Sequence, residues 1–452
     1  MKRLAVLAAA TLAAVAAGCG SSGSDSSGRV PLVVDTDLGS DDAIALLYLA
    51  QSPRIDLRAV TVSGTGLVHC PAGARNAAQL LTLAGRPDVP VACGRGFPLA
   101  GFHAVPEEWR RAADGLFGLT LPPAQVQRSG TAVSLLRREA PGSTVLELAP
   151  MTDLAEALRA EPSLARRIPR VVAMAGAVDV PGNAPGAPAA ETNAWIDPVA
   201  MRTVLRSGVA LGLVPLDATN QAPVTPYVGD ALRRYHYATP AATAVWELVN
   251  GTRMADGGSY FWDPLAAVLA VDPTVATATA RRIDVAASGR TAPGAHGARV
   301  MLESRVARAR FERVLLGGLL GGAPFRLPPA QPSGTVSWDG RTCTYSGGSS
   351  WTQGRVLVDT VNLSAAPFQF VVARIRPPHT LADLKAYVAG LSAAPVAPKW
   401  LTPEESGAVP PHAHVTWAVE ATPGTTGTAV LACAAAAPPY AALAGTVSVF
   451  GS

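Results

Sequence analysis

The sequence predicts an α/β fold, an open and mostly parallel sheet with helices on both faces, followed by a C-terminal domain resembling a β-sandwich. Three observations carry this. Leu32-Val33-Val34 is a short apolar run that passes through an acidic turn into an apolar, helix-compatible segment from Ala43 to Ala50, which is the strand–turn–helix order of an α/β sheet. The stretch from about Val30 to about Leu320 has the size of one α/β domain rather than two. Beyond it, short strand-like runs alternate with Gly, Ser and Pro turns.

The N-terminus comes first. Met1-Lys2-Arg3, the apolar run Leu4 to Val15 and the small residues Ala16-Ala17-Gly18 read as an export signal over residues 1–18. It resembles a bacterial lipoprotein signal, although Ala16 stands three before Cys19 where leucine is usual. The resemblance implies lipidation of Cys19 and anchorage to the outer face of the bacterial cell membrane. Residues 19–29, nearly all Ser and Gly, then read as a flexible tether. No other stretch is long and apolar enough to span a bilayer.

Residues 30–322 form the expected α/β domain. Its first strand ends in Asp35-Thr36-Asp37-Leu38-Gly39-Ser40-Asp41-Asp42, four carboxylates within eight residues at a strand-to-helix turn. Open α/β sheets place ligands at such turns, and a helix N-terminus favours negative charge. Gly39 is expected to let the chain turn tightly. One Asp here would read as a helix cap, but four at this spacing call for a cation. With no Cys or His nearby, the donors suit a hard divalent ion such as calcium rather than zinc.

Asp35 to Ala43 resembles the D-x-D-P-G-x-D-D-A signature of the inosine-uridine preferring nucleoside hydrolase family, with Leu38 in place of the proline. The resemblance implies that Asp37 binds calcium and activates the attacking water, that Asp42 binds calcium and that Asp41 binds ribose hydroxyls. Asp35 would stand behind them or join them. Further stations follow in order. Leu148-Ala149-Pro150-Met151-Thr152-Asp153-Leu154-Ala155 is similar to the family's T-G-P-L-T-N-[IL]-A turn, which makes the Leu148 carbonyl a calcium ligand. Gly182-Asn183 and Ala190-Glu191-Thr192-Asn193 resemble the sugar-holding elements, which assigns Asn183, Glu191 and Asn193 to the ribose. Amides and a carboxylate suit hydroxyls that both donate and accept. Val214 to Asn220 resembles a strand and turn of structural role. Trp262-Asp263-Pro264 matches the last station, where Asp263 completes the calcium set.

The departures bear on the substrate. Pyrimidine-accepting members carry His where this chain has Trp262, and Trp there resembles the purine-preferring members, whose base is stacked between rings. Trp109 or Phe117 would supply a second ring, although each taken singly reads more readily as packing. Gly64-Thr65 stands where Gly-Asn is common, and Asp114-Gly115 where His-Gly is common. The implied reaction is hydrolysis of the N-glycosidic bond of ribonucleosides, with a purine leaning. Two rivals remain: a phosphatase of the haloacid dehalogenase type, which also begins with a strand and D-x-D but does not match Gly39 and Asp41-Asp42, and a surface-tethered nucleoside-binding lipoprotein with degenerate catalysis.

Residues 323–334 are a Pro-rich linker and 335–452 the β-rich accessory domain, with strands expected at Thr335–Trp338, Arg355–Asp359, Phe368–Ala373 and His414–Val419 and an inserted helix at Leu381–Leu391. His379, His412 and His414 fit no closed metal site. Setting Cys19 aside leaves Cys70, Cys93, Cys343 and Cys433. Three connectivities are open to them, and the pairing 70–93 with 343–433 crosses no domain boundary. The net charge of +4 comes without a basic cluster, which argues against nucleic-acid binding. No P-loop or dinucleotide fingerprint is present. The implied partners are a small-molecule nucleoside and, as in many family members, a second copy of the chain.

Overall fold

The computed structural model describes residues 28–450 apart from 102, 127, 225, 253, 255–258, 323–331, 353, 393–397, 422–426 and 437–438. The expected signal 1–18, Cys19, most of the tether and most of the 323–334 linker lie outside the described residues.

The main sheet is built from β1 (Val30–Thr36), β2 (Ile55–Val62), β3 (Val91–Cys93), β4 (Arg128–Thr131), β5 (Thr144–Glu147), β6 (Arg170–Met174), β7 (Leu211–Val214), β8 (Ala276–Val285), β9 (Thr291–Pro293) and β10 (Ala298–Val306). Their order is β4-β3-β2-β1-β5-β6-β7-β10-β8-β9. The first seven are parallel, β10 joins β7 in the same sense, and β8 and β9 make an antiparallel edge. Strand residues alternate between two cores. Leu32 and Val34 face one, with the helices Ser40–Gln51 (α1) and Cys70–Leu83 (α2), while Val33 faces the other, with the helices Ala132–Glu139 and Thr152–Ala160. Both faces being covered explains why these strands read as unbroken apolar runs.

β1 lies between β2 and β5, where the strand order reverses, so the crevice at its C-terminal end is the switch point of the sheet. The following α1 is buried from Asp42 to Ala50 and packs against the helix Trp262–Val271. That packing brings Asp263, at the start of the second helix, to the acidic turn at the start of the first. One local expectation needs correction. Gly39 has extended backbone (φ −60°, ψ 171°), and the left-handed residue is Leu38 (φ 53°), a conformation closed to a proline ring. Glycine is required at 39 for space instead, since a Cβ there would lie 2.9 Å from Asp42 Oδ2 and 3.0 Å from Asp41 Oδ1.

The C-terminal region comprises β11 (Gly334–Trp338), β12 (Cys343–Gly347), β13 (Ser350–Thr352), β14 (Gly354–Asn362), β15 (Phe368–Ile375), β16 (Leu401–Val409), β17 (His414–Ala421), β18 (Gly427–Ala434) and β19 (Ala441–Phe450). They form two sheets, β12-β11-β14-β17 and β13-β19-β18-β15-β16, over a core that includes Trp338, Phe368, Phe370 and Trp417. The disulfide Cys343–Cys433 joins one sheet to the other, and Cys70–Cys93 ties the start of α2 to the end of β3. The helix Leu381–Ala389 stops at Gly390, short of the expected Leu391.

Candidate active site

The acidic turn is held by its own backbone. Asp42 Oδ2 accepts from the Gly39 amide at 3.0 Å, and its Oδ1 accepts from the Asp37 amide at 3.2 Å and from Thr36 Oγ1 at 2.5 Å. Asp37 is fixed from the other side by the loop after β2, where the Leu67 amide donates to Oδ2 at 2.8 Å. Gly66 lies so close that a Cβ on it would stand 1.8 Å from that oxygen. Asp41, Asp42 and Asp263 offer carboxylate oxygens within 4.8 Å of one another. Asp41, expected on the ribose, thus joins this group, while Asp37 lines the same cavity beside it.

Such crowding is costly for anions. Burial first and the Asp42 charge second hold the Asp37 and Asp263 carboxyls well above the usual carboxylate range, and the same two causes push Asp41 up to about 7. Leu148 lines the same cavity. Its carbonyl accepts from Asn193 Nδ2 at 2.9 Å and, with two lone pairs, retains one for a cation. An all-oxygen set of crowded, buried carboxylates plus a carbonyl fits a hard divalent ion.

Of the sugar-side residues Glu191 and Asn193 are buried, which separates them from ordinary turn residues, while Asn183 is exposed at the rim. Glu191 Oε2 accepts from the Gly176 and Ala194 amides at 2.9 and 3.1 Å, and Oε1 from the Asn193 amide at 2.8 Å. Burial raises its pKa, and these amides pull it down. Asn193 Nδ2 is also held by the Met174 carbonyl at 3.0 Å, so the amide plane is set and Oδ1 is directed by it. Asn183 Oδ1 accepts from the Thr192 amide and hydroxyl, both at 3.0 Å, leaving Nδ2 as its donor.

One cavity of about 390 Å³ is lined by Asp37, Asp41, Asp42, Leu148, Asn183, Glu191, Asn193, Trp262 and Asp263, which are all the residues expected to touch metal or substrate. Trp109 lines it as well, whereas Phe117 borders an adjoining cleft that also reaches Trp109 and Trp262. None of the described residues lining the cavity is His, Lys or Arg. Thr65 instead accepts from Ser63 Oγ at 3.1 Å, and Asp114 holds His69 through Nδ1 at 2.8 Å.

Asp35 stands behind the cavity, accepting from Thr61 Oγ1 at 2.7 Å and paired in register with Glu147 of β5. Sequence reasoning placed Asp35 but missed its neighbours Glu147 and Asp153. Glu147 is pushed up to about 8 by burial, and burial and then Asp35 raise Asp153. A carboxylate closing the apolar run Val145-Leu146 was the available signal. The Leu67 amide and Arg110, which holds the Leu67 loop, were also missed; backbone donors leave no mark in a sequence.

A cleft at the switch point of a parallel sheet, with an all-oxygen cluster of carboxylates on one side and polar groups suited to hydroxyls on the other, suits metal-assisted hydrolysis of a sugar derivative. The chain belongs to the inosine-uridine preferring nucleoside hydrolase family, whose sequence profile matches residues 32–312. Protein C1683.06c of Schizosaccharomyces pombe is 40% identical over 196 residues, which are 42% of this chain and 62% of that protein. The pyrimidine-specific ribonucleoside hydrolase RihA of Salmonella paratyphi C is 33% identical over 277 residues, 59% of this chain and 87% of RihA. Among solved structures, the purine-preferring ribonucleoside hydrolase from Gardnerella vaginalis superimposes with a TM-score of 0.57 at 25% identity, covering 65% of this chain and 99% of that one.

Proposed function

We propose that the protein hydrolyses the N-glycosidic bond of ribonucleosides in a calcium-dependent reaction, releasing free base and ribose, with a preference for purines. The observation that carries this is the meeting, in one cavity, of four crowded carboxylates with two indoles and a polar sugar floor. Asp37, Asp42, Asp263, the Leu148 carbonyl and, by its position, Asp41 would hold the ion. Bound there, calcium would orient a water and make it more acidic. Asp37 Oδ2 accepts from the Leu67 amide, which fixes the carboxylate that would take the water's proton.

As the bond to the base breaks, positive charge spreads over C1′ and the ring oxygen, and the surrounding carboxylates stabilise it. Asp41, Asn183, Glu191 and Asn193 hold the hydroxyls and fix C1′ against the water. On the leaving side no described side chain in the cavity is a base-protonating His. Trp262 and Trp109 offer flat apolar faces for a purine, and an indole is no acid at neutral pH. The lack of such an acid favours, as a second reading, a tethered nucleoside-binding protein without efficient turnover.

Ribose release from inosine, guanosine, adenosine, uridine and cytidine, with calcium and with chelator, tests both. Calcium-dependent release that is fastest with purines supports the first; tight binding without release supports the second. We also propose export and lipid anchoring through Cys19, on the residues around it alone. Metabolic labelling with a lipid probe, lost in Cys19→Ala, checks this.

A further inference from the structure

We infer that Arg110 is a positioning residue for Asp37, acting through a guanidinium–peptide–carboxylate chain. The inference deepens the reading of Asp37 as the group that accepts the water's proton. Arg110 lies in the helix Glu107–Asp114 (α3), next to Trp109, which faces the cavity, yet its own side chain turns inward and is only 8% exposed. Its donors go to the loop between β2 and α2. Nη1 donates to the Gly66 carbonyl at 2.6 Å, and Nη2 to the Gly64 and Val68 carbonyls at 2.9 and 3.2 Å. Nε reaches His69 Nε2 at 3.3 Å, and the His69 ring and amide are both held by Asp114, each at 2.8 Å.

The Gly66 carbonyl and the Leu67 amide belong to one peptide group. Arg110 thus grips one end of the peptide whose other end donates to Asp37 Oδ2 at 2.8 Å. Hydrogen bonds in such a chain polarise one another, so a cation on the carbonyl strengthens the amide as a donor. The next amide, Val68, donates to the Asp37 backbone carbonyl at 3.1 Å, so the same loop sets both the main chain and the carboxylate of Asp37. A planar fork is the side chain suited to gripping three carbonyls at once; an ammonium lacks that reach. Its far end is tied by Cys70–Cys93. Without Arg110, three inward carbonyls lose their donor and the Leu67 peptide is free to rotate.

The test uses Arg110→Met, which keeps the stem and removes the donors, with Arg110→Lys as the milder change and Trp109→Ala as the neighbouring control. The expected result has two parts, read on folded full-length protein. Amide exchange across residues 64–68 accelerates in Arg110→Met but not in Trp109→Ala. In parallel, kcat falls by roughly 10- to 100-fold with KM little changed, the signature of a misplaced group rather than a lost substrate contact. Arg110→Lys falls between wild type and Met, and decides the matter alone if the Met variant does not fold. Unchanged exchange, unchanged kcat, or a loss confined to KM overturns the inference. A wild-type protein that releases no ribose brings down the hydrolase reading, while the exchange measurement still decides whether Arg110 sets the loop.

Discussion

Seven buried or half-buried carboxyl groups gather around the end of β1, in two sets that differ in what they face. The front set, Asp37, Asp41, Asp42 and Asp263, opens on the cavity, while the rear set, Asp35, Glu147 and Asp153, does not line it. In the front set, repulsion can be relieved by a cation that enters from the cleft. The rear groups are raised by burial first, with Glu147 adding to the rise at Asp35 and Asp35 at Asp153, while at Glu147 the Asp35 hydrogen bond pulls the other way; with no opening on the cleft, burial favours their protonated forms. Similar chemistry on either side of one strand is therefore placed in two settings, one open to a ligand from the cleft and one closed to it.

The sharpest way to break this comparison is to remove front carboxylates. Asp37→Ala should lower kcat by about 10²–10⁴-fold, the range for a lost general base, while Asp35→Asn should cost far less. Steady-state ribose release checks both, and equal losses would erase the distinction between the sets. Next in size is the metal's effect on stability. Calcium at a hundredfold over its dissociation constant should stabilise the fold by about 2.7 kcal/mol, seen as a rise in unfolding temperature that chelation reverses. Asp42→Asn should lose most of that rise and Glu147→Gln little of it. On the substrate side, Trp262→Ala should cost about 1–3 kcal/mol of stacking, read as a higher KM for purines with a smaller change for pyrimidines.

How much of this was legible in the sequence depended on the kind of group. The parallel half of the fold could be read because β1 and α1 are strongly apolar and sit on either side of an acidic turn. The front set was legible because motif spacing carries it, and the cavity collects every expected residue. The second ring was left between Trp109 and Phe117, because which face of a short helix or turn meets a cleft is settled by packing. The C-terminal strands β12, β13, β16, β18 and β19 went unseen, being short or broken by Pro, Gly and Ala. Of the rear set Asp35 was read from the motif, while Glu147 and Asp153 escaped because they are single acids in separate elements, joined to it only when β5 pairs with β1.

The pH dependence of stability sharpens the comparison most, because Glu147→Gln reads one rear group alone. In the folded chain Glu147 keeps its proton up to about pH 8, whereas in the unfolded chain it gives the proton up near 4.5. Between those values the folded state binds more protons than the unfolded one, so stability falls as pH rises, by at most about 1.4 kcal/mol per pH unit for one group, and levels off outside the window. Saturating calcium quiets the front carboxylates, leaving the decline to the rear set and to the other acids that burial raises, Glu191, Asp217, Glu303 and Glu312, so the slope is assigned by substitution. Glu147→Gln imitates the protonated acid and cannot ionise. It should match the wild type near pH 5, exceed it near pH 8 and flatten the slope between, as denaturant unfolding at each pH would record. A slope unchanged by the substitution would mean that Glu147 ionises inside the fold without penalty, and that the two sets differ in location but not in charge.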